Sequence, residues 1–227
     1  MRTDLKTGLL SLYRDFAMKT GLTARTIFSV YDYMYDPQQL KFLMDCIQET
    51  SGVTGCCVEA GCGAGHTTVF LKKWMNAIRL EKTYFALDTF SGFVPSHAEY
   101  EVKFRGKSSG ISSLFILNKK EWFDYSLRLA GVSGVTSIQV DVGEFNFKNI
   151  GPIAFCLLDV DLYLPIQKSL PNIYENLSPR GIIIVDDCKP DTMYDGALDA
   201  YKEFVDGLGM PQRIELDKLG LIQKPAA

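Results

Sequence analysis

Residues 55–68, GCCVEAGCGAGHTT, constrain this chain more than any other stretch. A short apolar strand, 55–60, runs into a turn with glycine at 61, 63 and 65. A helix follows, carrying Val69, Leu71, Trp74 and Ile78 at the spacing of one face. Glycine suits such a turn because it adopts left-handed backbone freely and lets a ligand approach with no Cβ in the way. The helix start offers unpaired N–H groups and a partial positive charge to whatever lies there. Four further apolar runs continue the pattern: TYFALD (83–88), TSIQVD (136–141), IAFCLLDVD (153–161) and GIIIVDD (181–187). They are near-continuous rather than alternating, as strands buried on both faces of a parallel sheet are. Helical patterns at 122–131 and 165–177 lie between pairs of them, and GALDAYKEFVDGL (196–208) adds a last helix. RIELDKLGLIQK (213–224) reads as two short strands around a tight connection. The predicted fold is α/β, a Rossmann-like, doubly wound, mostly parallel seven-stranded sheet with an antiparallel C-terminal strand, plus N-terminal helices.

Those N-terminal helices are read at 4–20 and from Asp36-Pro37 onward, where Asp36 can cap and Pro37 can take the first helical position. The division expected is an N-terminal helical extension, 1–52, and one globular unit, 53–227. A chain of 227 residues can bury a large core without disulfides or structural metal. The net charge of −3 argues against a surface built for nucleic acid or an anionic membrane. No run approaches the ~20 apolar residues of a membrane helix, and the start lacks a signal-peptide core. Six cysteines without CxxC spacing read as small buried hydrophobes in a reduced, cytoplasmic protein.

Acids end the strands. Asp88 lies 23 residues past Gly65, where a carboxylate can accept both ribose hydroxyls of a bound nucleoside. Asp159 ends one run and Asp186-Asp187 end another, so all three converge at the sheet's carboxyl edge. Their hard oxygen donors suit Mg²⁺ or Ca²⁺ better than zinc, Mg²⁺ being the ion expected, and the alternative is that they only cap following helices or turns. Asp161 is either a fourth ligand or solvent-facing. His66 follows the glycine turn, as a cofactor-pocket or structural residue. His97 falls in a Gly/Ser/charge-rich insertion, 90–118, expected to be a mobile lid over the acceptor. There His97 is either a flexible surface residue or the base that deprotonates the acceptor. Glu99, Glu101, Lys103, Arg105 and Lys107 read as the solvated face of that lid. Tyr31, Tyr33 and Tyr35 either pack the N-terminal segment or line an acceptor pocket or subunit contact.

The glycine spacing is Gly-x-Gly-x-Gly with Glu59 two residues before it, not the dinucleotide pattern Gly-x-Gly-x-x-Gly. This resembles the first motif of class I S-adenosylmethionine (SAM) methyltransferases. LLDVDLYLPIQKSLPNIYENLSPRGIIIVDDC, FALDTFSGF and LGLIQK are similar to segments of the macrocin O-methyltransferase (TylF-like) family. The resemblance covers roughly 55–225. It implies SAM bound by Glu59, Gly61, Gly63, Gly65, His66, Asp88 and Asp141, the last toward the adenine. It also implies O-methylation of a small-molecule hydroxyl in natural-product or sugar biosynthesis. The residues themselves add His97 and Asp159 as candidate catalytic groups, with Mg²⁺ assisting at Asp159, Asp186 and Asp187. Two positions depart from related patterns. Arg180 stands where the family more often has Gly. Leu162 stands where catechol-type enzymes carry a catalytic lysine. Two other readings stay open: a SAM-binding protein without turnover, and a nucleotide-dependent oxidoreductase or epimerase. The expected partner is a small-molecule acceptor, without nucleic acid or membrane, and a homo-oligomer stays open.

Overall fold

The structure, a computed structural model, describes residues 2–23, 31 and 33–226. These fall into two units, Met1–Met34 and Tyr35–Ala227. In the first, helix α1 (Arg2–Thr20) ends at Gly21, whose positive φ of 74° lets its N–H reach back to the Ala17 carbonyl.

The second unit opens with α2 (Pro37–Glu49), and its start was legible. Asp36 Oδ1 accepts from the N–H groups of Gln38 and Gln39, and Gln39 Oε1 accepts from the Asp36 N–H. Leu40, Leu43, Cys46 and Ile47 bury in the core of this unit, so α2 packs with the sheet rather than standing apart as an extension.

Seven strands follow: β1 (Cys56–Ala60), β2 (Tyr84–Asp88), β3 (Val135–Gln139), β4 (Ile153–Leu158), β5 (Leu177–Val185), β6 (Ile214–Glu215) and β7 (Leu219–Gln223). Their order is β3-β2-β1-β4-β5-β7-β6, with β1 to β5 parallel and β7 antiparallel to both β5 and β6. Successive side chains on a strand point to opposite faces, and the core divides accordingly. Cys56, Val58, Ala60, Cys156, Leu158, Ile183 and Val185 pack against α6 (Tyr163–Asn176) and α7 (Gly196–Gly207). Cys57, Phe155, Leu157, Ile182 and Ile184 pack against α2 and α3 (His66–Ala77). Every residue of β1 and β4 is buried, which is why both read as unbroken apolar runs. All six cysteines are free and buried, and burial pushes the Cys46 and Cys57 thiols up to about 12.

The 90–118 segment differs from its sequence reading. It forms α4 (Pro95–Arg105) and a 3₁₀ turn (Ser109–Ser113), ahead of α5 (Lys120–Leu129). Glu101, Arg105 and Lys107 are not part of a solvated face. Glu101 is 1% exposed; its Oε1 accepts from the Tyr163 N–H at the start of α6, and its Oε2 lies 3.0 Å from Arg105 Nε. Arg105 reaches Asp195 and Asp199 at 2.9 and 2.7 Å, and Lys107 reaches Asp195 at 2.7 Å. These pairs bind α4 to the starts of α6 and α7, whereas only the Glu99–Lys103 pair stays at the surface.

Candidate active site

Each parallel strand pairs one step beyond its end, and this brings the acids together. Val140 N–H donates to Asp88 O, Gly61 N–H to Leu87 O, Asp159 N–H to Ala60 O and Asp186 N–H to Leu158 O. The carboxylates therefore stand side by side along the carboxyl edge, roughly 4.8 Å apart per strand.

Between them lies the glycine turn. Gly61 has φ +91°, and a Cβ there would fall inside the Asp159 carbonyl, so only glycine lets the turn cross β4. Gly65 (φ +90°) packs against the Phe123 ring. Gly63 (φ +50°) faces open space, where a ligand can meet its backbone. Asp88 holds this turn: Oδ2 accepts from Gly63 N–H at 2.8 Å and Oδ1 from Phe90 N–H at 2.7 Å. Glu59 is 2% exposed, and its Oε2 accepts from Thr68 and Tyr84 hydroxyls, both at 2.7 Å. Burial pushes its carboxyl up to about 7, against the pull of those two bonds. Glu59 thus ties α3 and β2 to β1 beneath the turn, while His66 is exposed on the first turn of α3.

A second group forms around Asp159. Tyr35, fully buried, donates its hydroxyl to Asp159 Oδ2 at 2.8 Å. Asp186 is 4% exposed; Oδ2 takes a 2.8 Å bond from Lys218 Nζ, and Oδ1 is buried with no hydrogen-bond partner. Lys218 also lies 3.4 Å from Asp187 Oδ1, and Asp187 repels the neighbouring Asp161 carboxyl. Burial, then repulsion among these acids, raises the Asp159 and Asp161 carboxyls well above the ordinary range. Burial raises Asp186 too, with Lys218 opposing it. Among the described residues, no three His, Cys, Asp or Glu side chains are arranged to hold a metal ion.

His97 is not a flexible surface residue. It is 4% exposed on α4, with Nε2 3.6 Å from Asp141 Oδ2. Burial lowers its basicity, and Asp141 partly offsets this. Asp141 Oδ1 accepts from Gly143 N–H, so this carboxylate is fixed on two sides. Leu162 is buried with Ala98 and Ile111 and supplies no base. Tyr35, Lys218, Thr68 and Tyr84 were absent from the sequence reading as partners of these acids. Lys218 was findable: antiparallel β7 must begin beside the end of β5, next to Asp186-Asp187.

The macrocin-O-methyltransferase (TylF) family matches residues 27–220. The chain belongs to this family. It is accordingly a SAM-dependent O-methyltransferase by family. Arg180, where glycine is commoner in the family, sits at φ +66°, a conformation glycine adopts more easily. The O-methyltransferase NovP superposes with TM-score 0.74 at 21% identity, covering 95% of this chain and 99% of NovP. CalS11, a calicheamicin methyltransferase, gives 0.62 at 20% identity, over 83% of this chain and 80% of CalS11. SMU.1697c from Streptococcus mutans, solved in complex with SAH, gives 0.51 at 17% identity over 85% of this chain and 99% of that one. No curated protein matches the sequence. At these identities the structures are alike in fold.

Proposed function

We propose that this O-methyltransferase acts on a hydroxyl of a small glycoside or related natural product, with Asp159 receiving the acceptor's proton. As the acceptor oxygen bonds to the SAM methyl, the S–CH₃ bond breaks and S-adenosylhomocysteine leaves; the hydroxyl proton passes to a carboxylate oxygen of Asp159. The observation that carries this reading is the meeting of the glycine turn with Asp159 at one edge, where Asp159 N–H pairs with the last residue of β1. A carboxyl raised by burial and neighbouring acids is suited to hold that proton. On this reading SAM lies over Gly61, Gly63 and Gly65, with its ribose at Asp88 and its adenine toward Asp141. His97, facing Asp141, belongs to that cofactor end rather than to the acceptor. CalS11 is described as a TDP-rhamnose 3′-O-methyltransferase, which makes nucleotide-linked and other sugars the first acceptors to try.

Metal assistance is the finer part of the proposal. In place of the Asp159 proton-acceptor role, Asp159 would join Asp186 and Asp187 as ligands of Mg²⁺, and the partnerless Asp186 Oδ1 supports an electropositive neighbour there. When bound, such an ion would lower the acceptor hydroxyl's pKa. The acids as placed need rearrangement to form that set. Among the described residues no helix is long and apolar enough to cross a membrane, which fits an acceptor met in water. The test is labelled SAM with sugars, catechols and hydroxy acids, with Mg²⁺ or with EDTA. Methyl transfer to a hydroxyl supports the reading. Transfer only to nitrogen or carbon, or SAM binding without turnover on any acceptor, overturns it, and full activity in EDTA removes the metal.

A further inference from the structure

Three aromatic rings stand together beside the acid cluster. Phe93 meets Phe115 edge to face, with ring centres 5.3 Å apart, and meets Tyr194 the same way at 6.4 Å. Phe93 and Tyr194 rest on a buried base of Ala98, Ile111 and Leu162, and Leu162 directly follows Asp161. The Tyr194 hydroxyl is pushed up to about 12 by burial and then by Asp161, Asp187 and Asp159, so this ring neighbours those acids. Phe115 is 52% exposed, and the exposed Ile116 and Leu117 continue the apolar surface. The backbone is shaped to present it. Phe115 has φ +59°, which a bulky residue adopts only at a cost, and strain of this kind gathers at ligand sites. A Cβ on Gly92 would lie 2.8 Å from Leu114 O, so the two ends of the 90–118 segment touch. Thr89, next to Asp88, donates its hydroxyl to Gly92 O, and Asn118 Nδ2 donates to Gly63 O at 3.0 Å. The strip of rings is thus anchored on the cofactor side at the glycine turn and ends at the acids around Asp159.

We propose that Phe93, Phe115 and Tyr194 form the acceptor's binding wall and take a flat apolar ring, so that the natural acceptor is an uncharged glycoside of an aromatic aglycone. This rests on the reading that the methylated hydroxyl sits at Asp159. Ring faces attract the edges and C–H groups of another ring, and a half-exposed Phe115 leaves such a surface open. Charge then decides among the sugars. The diphosphate of a nucleotide-linked sugar would add negative charge beside Asp159, Asp161, Asp186 and Asp187, where repulsion already raises the Asp159 and Asp161 carboxyls. Cations at this edge are engaged: Lys218 with Asp186 and Asp187, Lys107 with Asp195, and Arg105 with Asp195 and Asp199. Freeing one of them for a phosphate would leave a carboxylate unpaired.

The experiment uses the full chain saturated with S-adenosylhomocysteine and titrates three kinds of probe by calorimetry. These are phenyl rhamnoside and phenyl glucoside, their methyl glycoside counterparts, and TDP-rhamnose and UDP-glucose. The same panel with labelled SAM reads methyl transfer. The phenyl member of at least one pair should bind about tenfold more tightly than its methyl counterpart, and more tightly than the nucleotide-linked sugar. Phe115→Gly should abolish that preference while keeping the affinity for S-adenosylhomocysteine. Its Tm should stay within a few degrees of the parent, since relief of the left-handed backbone offsets the lost ring contact. Phe115→Tyr should keep the preference. Equal binding of phenyl and methyl glycosides in both pairs overturns the wall, as does no binding of either phenyl glycoside or an unaltered preference in Phe115→Gly. A Phe115→Gly variant that fails to fold, or loses its affinity for S-adenosylhomocysteine, assigns the ring to the frame and also overturns it. Tighter binding of the nucleotide-linked sugars overturns the uncharged acceptor. If the phenyl preference disappears in Phe115→Gly but no probe is methylated at a hydroxyl, the wall stands and the Asp159 reading fails. Hydroxyl methylation with equal kcat/KM for phenyl and methyl glycosides does the reverse.

Discussion

Replacing Glu59 by glutamine should flatten the pH dependence of stability between about pH 5 and pH 8. Glu59 is buried, and both of its observed bonds, from Thr68 and Tyr84, converge on one oxygen. Burial lifts the carboxyl from an ordinary 4.5 to about 7. At 1.36 kcal/mol for each tenfold change in proton affinity, that shift is worth about 3 kcal/mol. The sign follows from proton counting. Between the unfolded and folded values the native protein keeps a proton that the unfolded chain has lost, so stability falls as pH rises through this window and levels off above about 7. A glutamine cannot ionise, and its amide oxygen can take the same two hydroxyl bonds. Its NH₂ group gains no evident acceptor, an offset of about 1 kcal/mol present at every pH. The signature is therefore a slope: Glu59→Gln gains about 3 kcal/mol on the parent between pH 5 and pH 8. Urea unfolding of both proteins across that range measures it. Asp159, Asp161 and Asp186 are also raised, but they contribute alike to both proteins and largely cancel in the difference. A pH-independent difference, or a variant that loses ground as pH rises, would refute the reasoning.

Other substitutions separate the frame from the site. Gly63→Ala should cost about 1 kcal/mol for its left-handed backbone, remain folded, and bind SAM about tenfold or more weakly by calorimetry. Gly61→Ala should fail to give folded protein, seen by circular dichroism, because its Cβ has no room beside Asp159. Tyr35→Phe removes the hydroxyl from Asp159 and should cost about 1–3 kcal/mol in urea unfolding, with SAM affinity retained and kcat lowered. Phe123→Ala empties the fully buried ring position against Gly65 and should lose about 3–5 kcal/mol in the same assay.

What the sequence disclosed was whatever burial writes into composition. β1, β4 and the second half of β5, 181–185, are enclosed on both faces, and their apolar runs were legible to within a few residues. The Asp36-Pro37 start of α2 was equally plain, because a capping box is a local interaction among adjacent residues. Helix α4 was not legible. Its PSHAEYEVKFR carries no apolar stripe, and what holds it is the buried Glu101 with Arg105, whose partners lie at 163, 195 and 199. His97 was misplaced for the same reason. In sequence it belonged to a charged loop, and only the packing of α4 shows it buried against Asp141.

The acids themselves were legible, because each ends an apolar run and so must surface at one edge; their counter-groups were not. Tyr35 lies 124 residues from Asp159, and Lys218 lies 32 from Asp186. Which charge balances which acid is fixed by sheet order, and sheet order also bears on the proposed chemistry. With β2, β1, β4 and β5 adjacent, Asp88 and Asp159 are separated by two strand steps, about 10 Å, with the glycine turn between them. On the proposed reading the ribose sits at the first acid and the acceptor hydroxyl at the second. The sulfonium must then lie over the turn, its methyl pointing along the edge from β1 toward β4. An acceptor oxygen held at Asp159 then meets the methyl on the side away from the sulfur, as an in-line transfer from sulfur to oxygen requires. Gly61 is then more than a ligand cradle. By letting β1 and the Asp159 backbone touch, it fixes how closely the glycine turn and Asp159 approach each other.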